Sequence, residues 1–222
     1  MKQVILVTGA SSGLGEEMAR HLAAVGHIVY GSSRSIEGAD KSFHTINMDV
    51  TDASSISTAI QRIVEREGRI DVLINNAGLG IAGPLEQLSI AEVQRVFDTN
   101  VTGVLRACQA VLPPMRRQQG GKIINISSIG SEMGLPYRGV YSASKAAVDR
   151  LTEALRTELA PFGIQACIVQ PGGVRTDINK NRIRVALDES SPYRASFEHT
   201  YRLIDESVEG GLPPLAFAQL VE

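Results

Sequence analysis

Long apolar runs, blocks of like charge and metal-ligand clusters are all missing from this chain of 222 residues. No apolar stretch approaches the roughly 18 residues that a membrane-spanning helix needs, so no membrane span is expected. The 22 basic and 24 acidic residues leave a net charge of -2, and neither sign is concentrated anywhere. A nucleic-acid groove or a surface for anionic lipid would need such a concentration of basic residues, so neither partner is expected. The two cysteines, Cys108 and Cys167, lie in apolar segments without metal-like spacing. They fit the core of a reduced, cytoplasmic protein. His21, His27, His44 and His199 are scattered, so no metal site is expected. No carboxylate pair suggests glycosidase chemistry. The opening Met1-Lys2-Gln3 runs directly into a strand-like stretch rather than a secretory leader.

What is present is an ordinary globular composition, with 43% hydrophobic and 21% charged residues. A chain of this size can bury roughly 70% of its unfolded surface. It reads as a single domain over 1–222, without repeats or linkers. Val4-Ile5-Leu6-Val7 is apolar throughout, as a strand covered on both faces should be. Leu14, Met18, Leu22 and Val25 then recur at helical spacing up to Gly26. The alternation continues, with strands expected at 27–32, 43–48, 71–75, 121–127 and 164–170. Helices are expected at 53–67, 90–118 and 139–161, with Pro113-Pro114 breaking the late part of the second. Strand and helix in strict alternation imply a doubly wound α/β fold, a Rossmann-like parallel sheet with helices on both faces. The connection from Ser33 to Ser42 is too short for a crossover helix and should hold at most one turn. From Asp177 the pattern loosens into a loop-rich excursion with short helices, and the last residues, Leu215 to Glu222, read as a new helix.

Thr8-Gly9-Ala10-Ser11-Ser12-Gly13-Leu14-Gly15 lies between the first strand and the first helix. Glycines there let backbone N–H groups approach a pyrophosphate, and the helix N-terminus adds a favourable dipole. The spacing is G-x-x-x-G-x-G rather than the commoner G-x-G-x-x-G, and a plain structural turn is the competing reading. At the end of the second strand stands Tyr30-Gly31-Ser32-Ser33-Arg34, without the carboxylate that NAD-binding versions usually carry. Ser33 and Arg34 suit a 2′-phosphate, so NADP(H) is favoured, with NAD(H) the alternative.

Tyr141 and Lys145 stand four apart in Tyr141-Ser142-Ala143-Ser144-Lys145, on one face of the expected helix. A free phenol titrates near pH ~10, and a neighbouring ammonium favours its ionised form, which suits acid–base work at neutral pH. Three strand ends share a rim with the start of that helix: Ile126-Ser127-Ser128, Asn75-Asn76-Ala77-Gly78 and Pro171-Gly172-Gly173-Val174-Arg175-Thr176. Open α/β sheets bind ligands at that edge.

From Thr8 to about Ile178 the chain resembles the short-chain dehydrogenase/reductase family. The glycine turn, Asn75-Asn76-Ala77-Gly78, Asn100, the serine before the tyrosine and the Tyr141/Lys145 pair fall in that family's order. The resemblance implies that Tyr141 is the acid–base, while Lys145 supports it and binds the nicotinamide ribose. It assigns the substrate oxygen to Ser128, thirteen residues before the tyrosine, with Ser127 the adjacent alternative. Asn100 matches the asparagine that props a helix bend and a proton-relay water; a local cap or turn role is compatible with that. For the cofactor it implies Gly9, Ser11, Ser12, Gly13, Leu14 and Gly15 at the pyrophosphate, and Asp49 and Val50 at the adenine. Asn76, Ala77 and Gly78 would lie along the adenosine ribose, and Pro171, Gly172, Val174 and Thr176 around the nicotinamide.

The implied reaction is hydride transfer between NADP(H) and a carbonyl or alcohol carbon of a small molecule. Residues 177–212 would form the substrate lid. Gly134 to Tyr141 resembles branches acting on hydroxysteroids, retinoids and other lipophilic alcohols. The helices at 90–118 and 139–161 resemble those through which the family builds homodimers and homotetramers. A non-catalytic NADP-binding redox sensor of the same fold is the alternative; an epimerase or dehydratase is a third, which the short chain disfavours. The family usually adds a helix and a last edge strand after a segment like Gly211-Leu212-Pro213-Pro214, and no such strand is legible here.

Overall fold

The computed structural model describes residues 1–35, 42–176 and 182–222. β1 (Val4–Thr8), α1 (Gly13–Ala24), β2 (Ile28–Ser33), β3 (His44–Asn47), α2 (Ala53–Glu67) and β4 (Val72–Asn75) come first. A short β5 (Ile81–Ala82) leads to α3 (Ile90–Phe97), α4 (Gly103–Arg117), β6 (Gly121–Ile126), α5 (Gly139–Leu159) and β7 (Ile164–Val169). β8 (Ile183–Arg184), α6 (Arg194–Glu209) and α7 (Pro214–Val221) complete the described elements. The main sheet is parallel, in the order β3-β2-β1-β4-β6-β7. β5 and β8 pair separately in a small parallel sheet. No described helix is long and apolar enough to cross a membrane.

The uninterrupted apolar strands are explained by burial on both faces. Val4 and Leu6 of β1 join one core with Ile56, Ile60 and Ile63 of α2, Val111 and Met115 of α4, and Val148 of α5. Ile5 and Val7, pointing the opposite way, join a second core with Met18 and Leu22 of α1 and Phe217 and Val221 of α7. A period of two sends successive side chains to opposite faces, so each face needs its own helical cover. The helices begin and end where their caps dictate. Asp52 accepts from Ser54 N–H at 2.8 Å to start α2, Gly68 at φ 76° ends it, and Ser89 with Glu92 forms a capping box on α3.

Two expectations need correction. The stretch 90–118 is interrupted at Asp98–Thr102, a π-type turn in which Gly103 N–H donates to the Asp98 carbonyl, and not at Pro113-Pro114. α4 runs through both prolines to Arg117 because Val111, Pro114 and Met115 are buried, so packing overrides the lost backbone donors. The excursion after Asp177 holds a 16-residue helix, α6, rather than short helices alone. Phe197, Tyr201 and Ile204, spaced four and three apart, give α6 its buried stripe. The connection expected to hold at most one turn falls largely on 36–41, outside the described residues. Among the described residues β7 pairs only with β6, and 214–221 forms a helix packed on α1.

Cys108 is fully buried in α4, and burial pushes its thiol up from 9.0 to about 12. Below pH 9 folded and unfolded chains both hold this proton. Between pH 9 and about 12 only the unfolded chain releases it, so stability declines as pH rises. Urea unfolding followed from pH 8 to 11 is expected to show a falling midpoint, with a shallower fall in Cys108→Ala.

Candidate active site

The C-terminal ends of the parallel strands share one rim, and the strand order turns back between β1 and β4. A cleft of about 950 Å³ opens there. Its wall at the switch point is a clamp. Thr8 Oγ1 accepts from Asn76 N–H (3.0 Å) and Ala77 N–H (2.9 Å), while Asn76 Nδ2 donates back to the carbonyls of Thr8 (2.9 Å) and Gly9 (3.1 Å). The turn is too tight for side chains. A Cβ on Gly9, at φ +69°, would sit 2.8 Å from Ala77 Cα, and one on Gly15 would sit 2.3 Å from the Gly9 oxygen. Gly9, Ser12, Gly13, Leu14, Gly15, Asn76, Ala77 and Gly78 line the cleft. Ser11 does not: it is exposed and outside the lining. The Ser12 side chain makes no capping bond, which leaves the first backbone donors of α1 for an anion.

At one end of the cleft stand Ser33, exposed Arg34, Asp49 and Val50. Asp49 accepts from Thr51 N–H (2.9 Å) and Thr51 Oγ1 (2.7 Å), which fixes the loop after β3. At the other end the first turns of α5 present Tyr141 and Lys145, both buried. Lys145 Nζ donates to the Ile126 carbonyl at 2.8 Å and lies 6.0 Å from the centroid of the Tyr141 ring. Ser127 and Ser128 both line the cleft, but their hydroxyls face different tasks. Ser127 Oγ donates to the Lys145 carbonyl (3.3 Å), whereas Ser128 Oγ accepts from Gly130 N–H (3.1 Å) and keeps its own proton to donate. Pro171, Gly172, Val174 and Thr176 form the facing wall.

Asn100 is fully buried and does not line the cleft. From the π-type turn its Oδ1 accepts from Leu79 N–H (2.7 Å), and its Nδ2 donates to the Leu79 carbonyl (2.9 Å) and to Ser144 Oγ (3.0 Å). Ser144 Oγ in turn donates to the Tyr141 carbonyl at 2.7 Å. A second buried chain runs from Asn75 Nδ2 to Asn125 Oδ1 (2.8 Å) and from Asn125 Nδ2 to Thr152 Oγ1 (2.8 Å), tying β4 and β6 to α5.

Several lining residues were not singled out from the sequence. Arg138 stands at the start of α5 with its Cζ 4.7 Å from the Tyr141 ring centroid. Burial holds its guanidinium below the usual arginine range; Arg182 pushes the same way, while Tyr141 opposes. Arg182 lines the cleft as well, and α6 contributes Thr200, Leu203 and Ile204. The stripe Phe197, Tyr201, Ile204 was the available signal for α6; nothing in the local pattern marks either arginine.

The model of the short chain dehydrogenase family matches residues 3–185. A Bacteroides thetaiotaomicron protein named 3-ketodihydrosphingosine reductase is 46% identical over 213 residues, covering 96% of this chain and 79% of its own. A short chain dehydrogenase/reductase from Burkholderia phymatum, solved with NAD, superposes with a TM-score of 0.86 at 28% identity, covering 99% of this chain and 84% of its own. Gluconate 5-dehydrogenase from Burkholderia cenocepacia, solved with NADP and tartrate, gives a TM-score of 0.76 at 32% identity, with 81% and 75% covered.

Replacing Asn100 by Ala leaves the part-buried Leu79 N–H and carbonyl without their partner. The expected cost is about 3 kcal/mol of stability, read as a lowered urea midpoint at unchanged slope.

Proposed function

This chain belongs to the short-chain dehydrogenase family, and from that premise we propose that it is an NADP(H)-dependent oxidoreductase of a lipophilic carbonyl or alcohol substrate. The observation that carries the reading is the meeting of Ser128, Tyr141 and Lys145 at one end of a cleft whose other end holds the glycine turn, Ser33 and Arg34. The tight turn, with no room for a Cβ at Gly9 or Gly15, and the free backbone donors of α1 fit a dinucleotide pyrophosphate. Arg34 offers a planar cation for a 2′-phosphate, and no carboxylate follows β2 at 34 or 35 to repel one. Asp49 and Val50 would meet the adenine. Pro171, Gly172, Val174 and Thr176 would hold the nicotinamide, which supplies or accepts the hydride when bound.

In the reducing direction the Tyr141 hydroxyl donates its proton to the substrate oxygen; in the oxidising direction it takes that proton back. Ser128 Oγ donates to the same oxygen and holds it in place. The Lys145 ammonium stabilises negative charge on the phenol oxygen, and its bond to the Ile126 carbonyl fixes its position. Asn100 acts as a positioning residue, holding Ser144 and through it the first turn of α5. The apolar residues Leu79, Ile129, Leu135 and Leu203 beside this end suit an aliphatic substrate, in keeping with the ketolipid named for the Bacteroides relative. Residues 182–212, the described part of the expected lid 177–212, would cover it. A cytoplasmic location and a homodimer or homotetramer through α4 and α5 belong to the same reading. A purely redox-sensing role would leave Ser128, Tyr141 and Lys145 without a task.

Tyr141→Phe is expected to abolish turnover, by about a thousandfold or more, with NADPH affinity nearly unchanged; Lys145→Ala should weaken both. Steady-state kinetics beside calorimetric NADPH titration tests this, and an active Tyr141→Phe would remove the assigned acid–base. Arg34→Ala should weaken NADPH by about tenfold and NADH little. Equal losses would overturn the 2′-phosphate assignment.

A further inference from the structure

The proposed proton transfer leaves one cation beside the phenol without a task. Arg138 is the N-cap residue of α5, three positions before Tyr141, and its side chain caps no backbone group. Its Cζ stands 4.7 Å from the centroid of the Tyr141 ring, nearer than Lys145 Nζ at 6.0 Å. The same guanidinium donates a hydrogen bond to the Tyr141 side chain. Lys145 Nζ, by contrast, is bonded to the Ile126 carbonyl at 2.8 Å. The charged groups that act on Arg138 are Tyr141 and Arg182, and Arg182 has its own partner in Asp205 at 3.6 Å. The cluster around the ring is otherwise apolar, with Ile81 of β5, Val96 of α3 and Ile183 of β8. The carboxylates that line the cleft, Asp49 and Asp98, are taken up by Thr51 (2.9 Å) and Arg106 (2.8 Å). Among the described residues, Arg138 and Lys145 are the charged groups that reach the ring.

Arg138 is held there against three costs. Its Nε is buried without a hydrogen-bond partner. Its positive charge sits at a helix N-terminus whose first turn holds no acidic residue, against the direction of the helix dipole. The residue just before it, Tyr137, has φ 60°, in the left-handed region that a bulky side chain rarely adopts. Tertiary contacts impose that conformation. The Tyr137 carbonyl accepts from Gly83 N–H at 2.9 Å, its ring lies 5.3 Å from that of Phe197 on α6, and its hydroxyl bonds Ser196. Arg138 itself is pinned by its backbone, which donates to the Leu135 carbonyl (3.0 Å) and accepts from Ser142 N–H (2.9 Å). An arginine with no task at the phenol could turn its side chain outward into water.

We propose that Arg138 is a positioning residue of the acid–base, holding the Tyr141 phenol in place and, together with Lys145, stabilising the phenolate. This rests on the reading of Tyr141 as the acid–base and adds a second cation to it. In reduction the phenol O–H bond breaks as its proton passes to the substrate oxygen, which leaves a phenolate while Arg138 keeps its own protons. In oxidation the phenolate takes the substrate's hydroxyl proton. Either way, negative charge resides on the phenol oxygen on one side of the transfer. A guanidinium is permanently charged and planar, so it can stack on the ring and donate at its edge, which an ammonium cannot do. Its attraction to the ring grows as the ring gains negative charge.

The test needs no substrate. The chain has five tyrosines and no tryptophan, so tyrosinate formation can be followed by ultraviolet absorbance during a pH titration of the full chain. Subtracting the titration of Tyr141→Phe from that of the wild type isolates the Tyr141 phenol. The same subtraction is made in the Arg138→Gln, Arg138→Met and Arg138→Lys backgrounds. The midpoint for Tyr141 is expected to rise by about one pH unit in the two neutral variants. Arg138→Lys, which keeps the charge but loses the plane, should recover part of that rise. Far-ultraviolet circular dichroism and calorimetric NADPH affinity, measured in each variant, report that the fold and the nucleotide end are kept. Two neutral variants guard against one of them failing to fold. An unmoved midpoint in the neutral variants overturns the proposal. So does an equal rise in Arg138→Lys, which would mark lost packing rather than lost charge. An active Tyr141→Phe removes the acid–base reading and this proposal with it, whereas an inactive Tyr141→Phe beside an unmoved midpoint overturns the role of Arg138 alone.

Discussion

A fully buried primary amide needs partners inside the chain, and Asn100 finds them by joining three separate segments. It bonds both backbone groups of Leu79, which follow β4, and the hydroxyl of Ser144, on the second turn of α5. Because unsatisfied buried polar groups are costly, this single side chain fixes how far those segments stand from one another. The π-type turn at Asp98–Thr102 is the backbone's accommodation: one extra residue in the turn re-aims the chain where an unbroken helix would run on. Through Ser144 and the Tyr141 carbonyl, the constraint reaches the turn of α5 that carries the phenol.

The other end of the cleft depends on a clamp of the same kind. Thr8 and Gly9 accept four hydrogen bonds from Asn76 and Ala77 across adjacent strand ends, at the point where the strand order reverses. The glycine turn is pressed against that clamp so closely that no Cβ fits at Gly9 or Gly15. Two rigid polar junctions, one on each side of β4, thus set the distance between the glycine-turn end and the Tyr141 end of the cleft. The apolar cores above and below the sheet hold both junctions in a frame that tolerates little movement.

The fold was legible because its signals are local. Val4-Ile5-Leu6-Val7 can be buried only on two faces, and Asp52 and Gly68 bracket α2. Less local features were misjudged. Pro113 and Pro114 suggested a helix end, but burial of Pro114 and Met115 keeps α4 intact, and the break lies earlier at Asn100. The choice between Ser127 and Ser128, open in the sequence, is separated by hydrogen bonding: Ser127 gives its proton to the Lys145 carbonyl and Ser128 retains its own.

The sequence by itself determined the alternation of strand and helix, the parallel sheet and the family, because periodicity and motif order are properties of neighbours along the chain. It also placed Tyr141 and Lys145 on one helical face, since 3.6 residues per turn requires it. Only the tertiary structure decided which residues share the cleft with them. Arg138 and Arg182 are 44 positions apart, carry no motif, and lie in segments that read as loop or helix start. That both line the cleft depends on β5–β8 pairing, a contact between residues distant in the chain that no local pattern encodes.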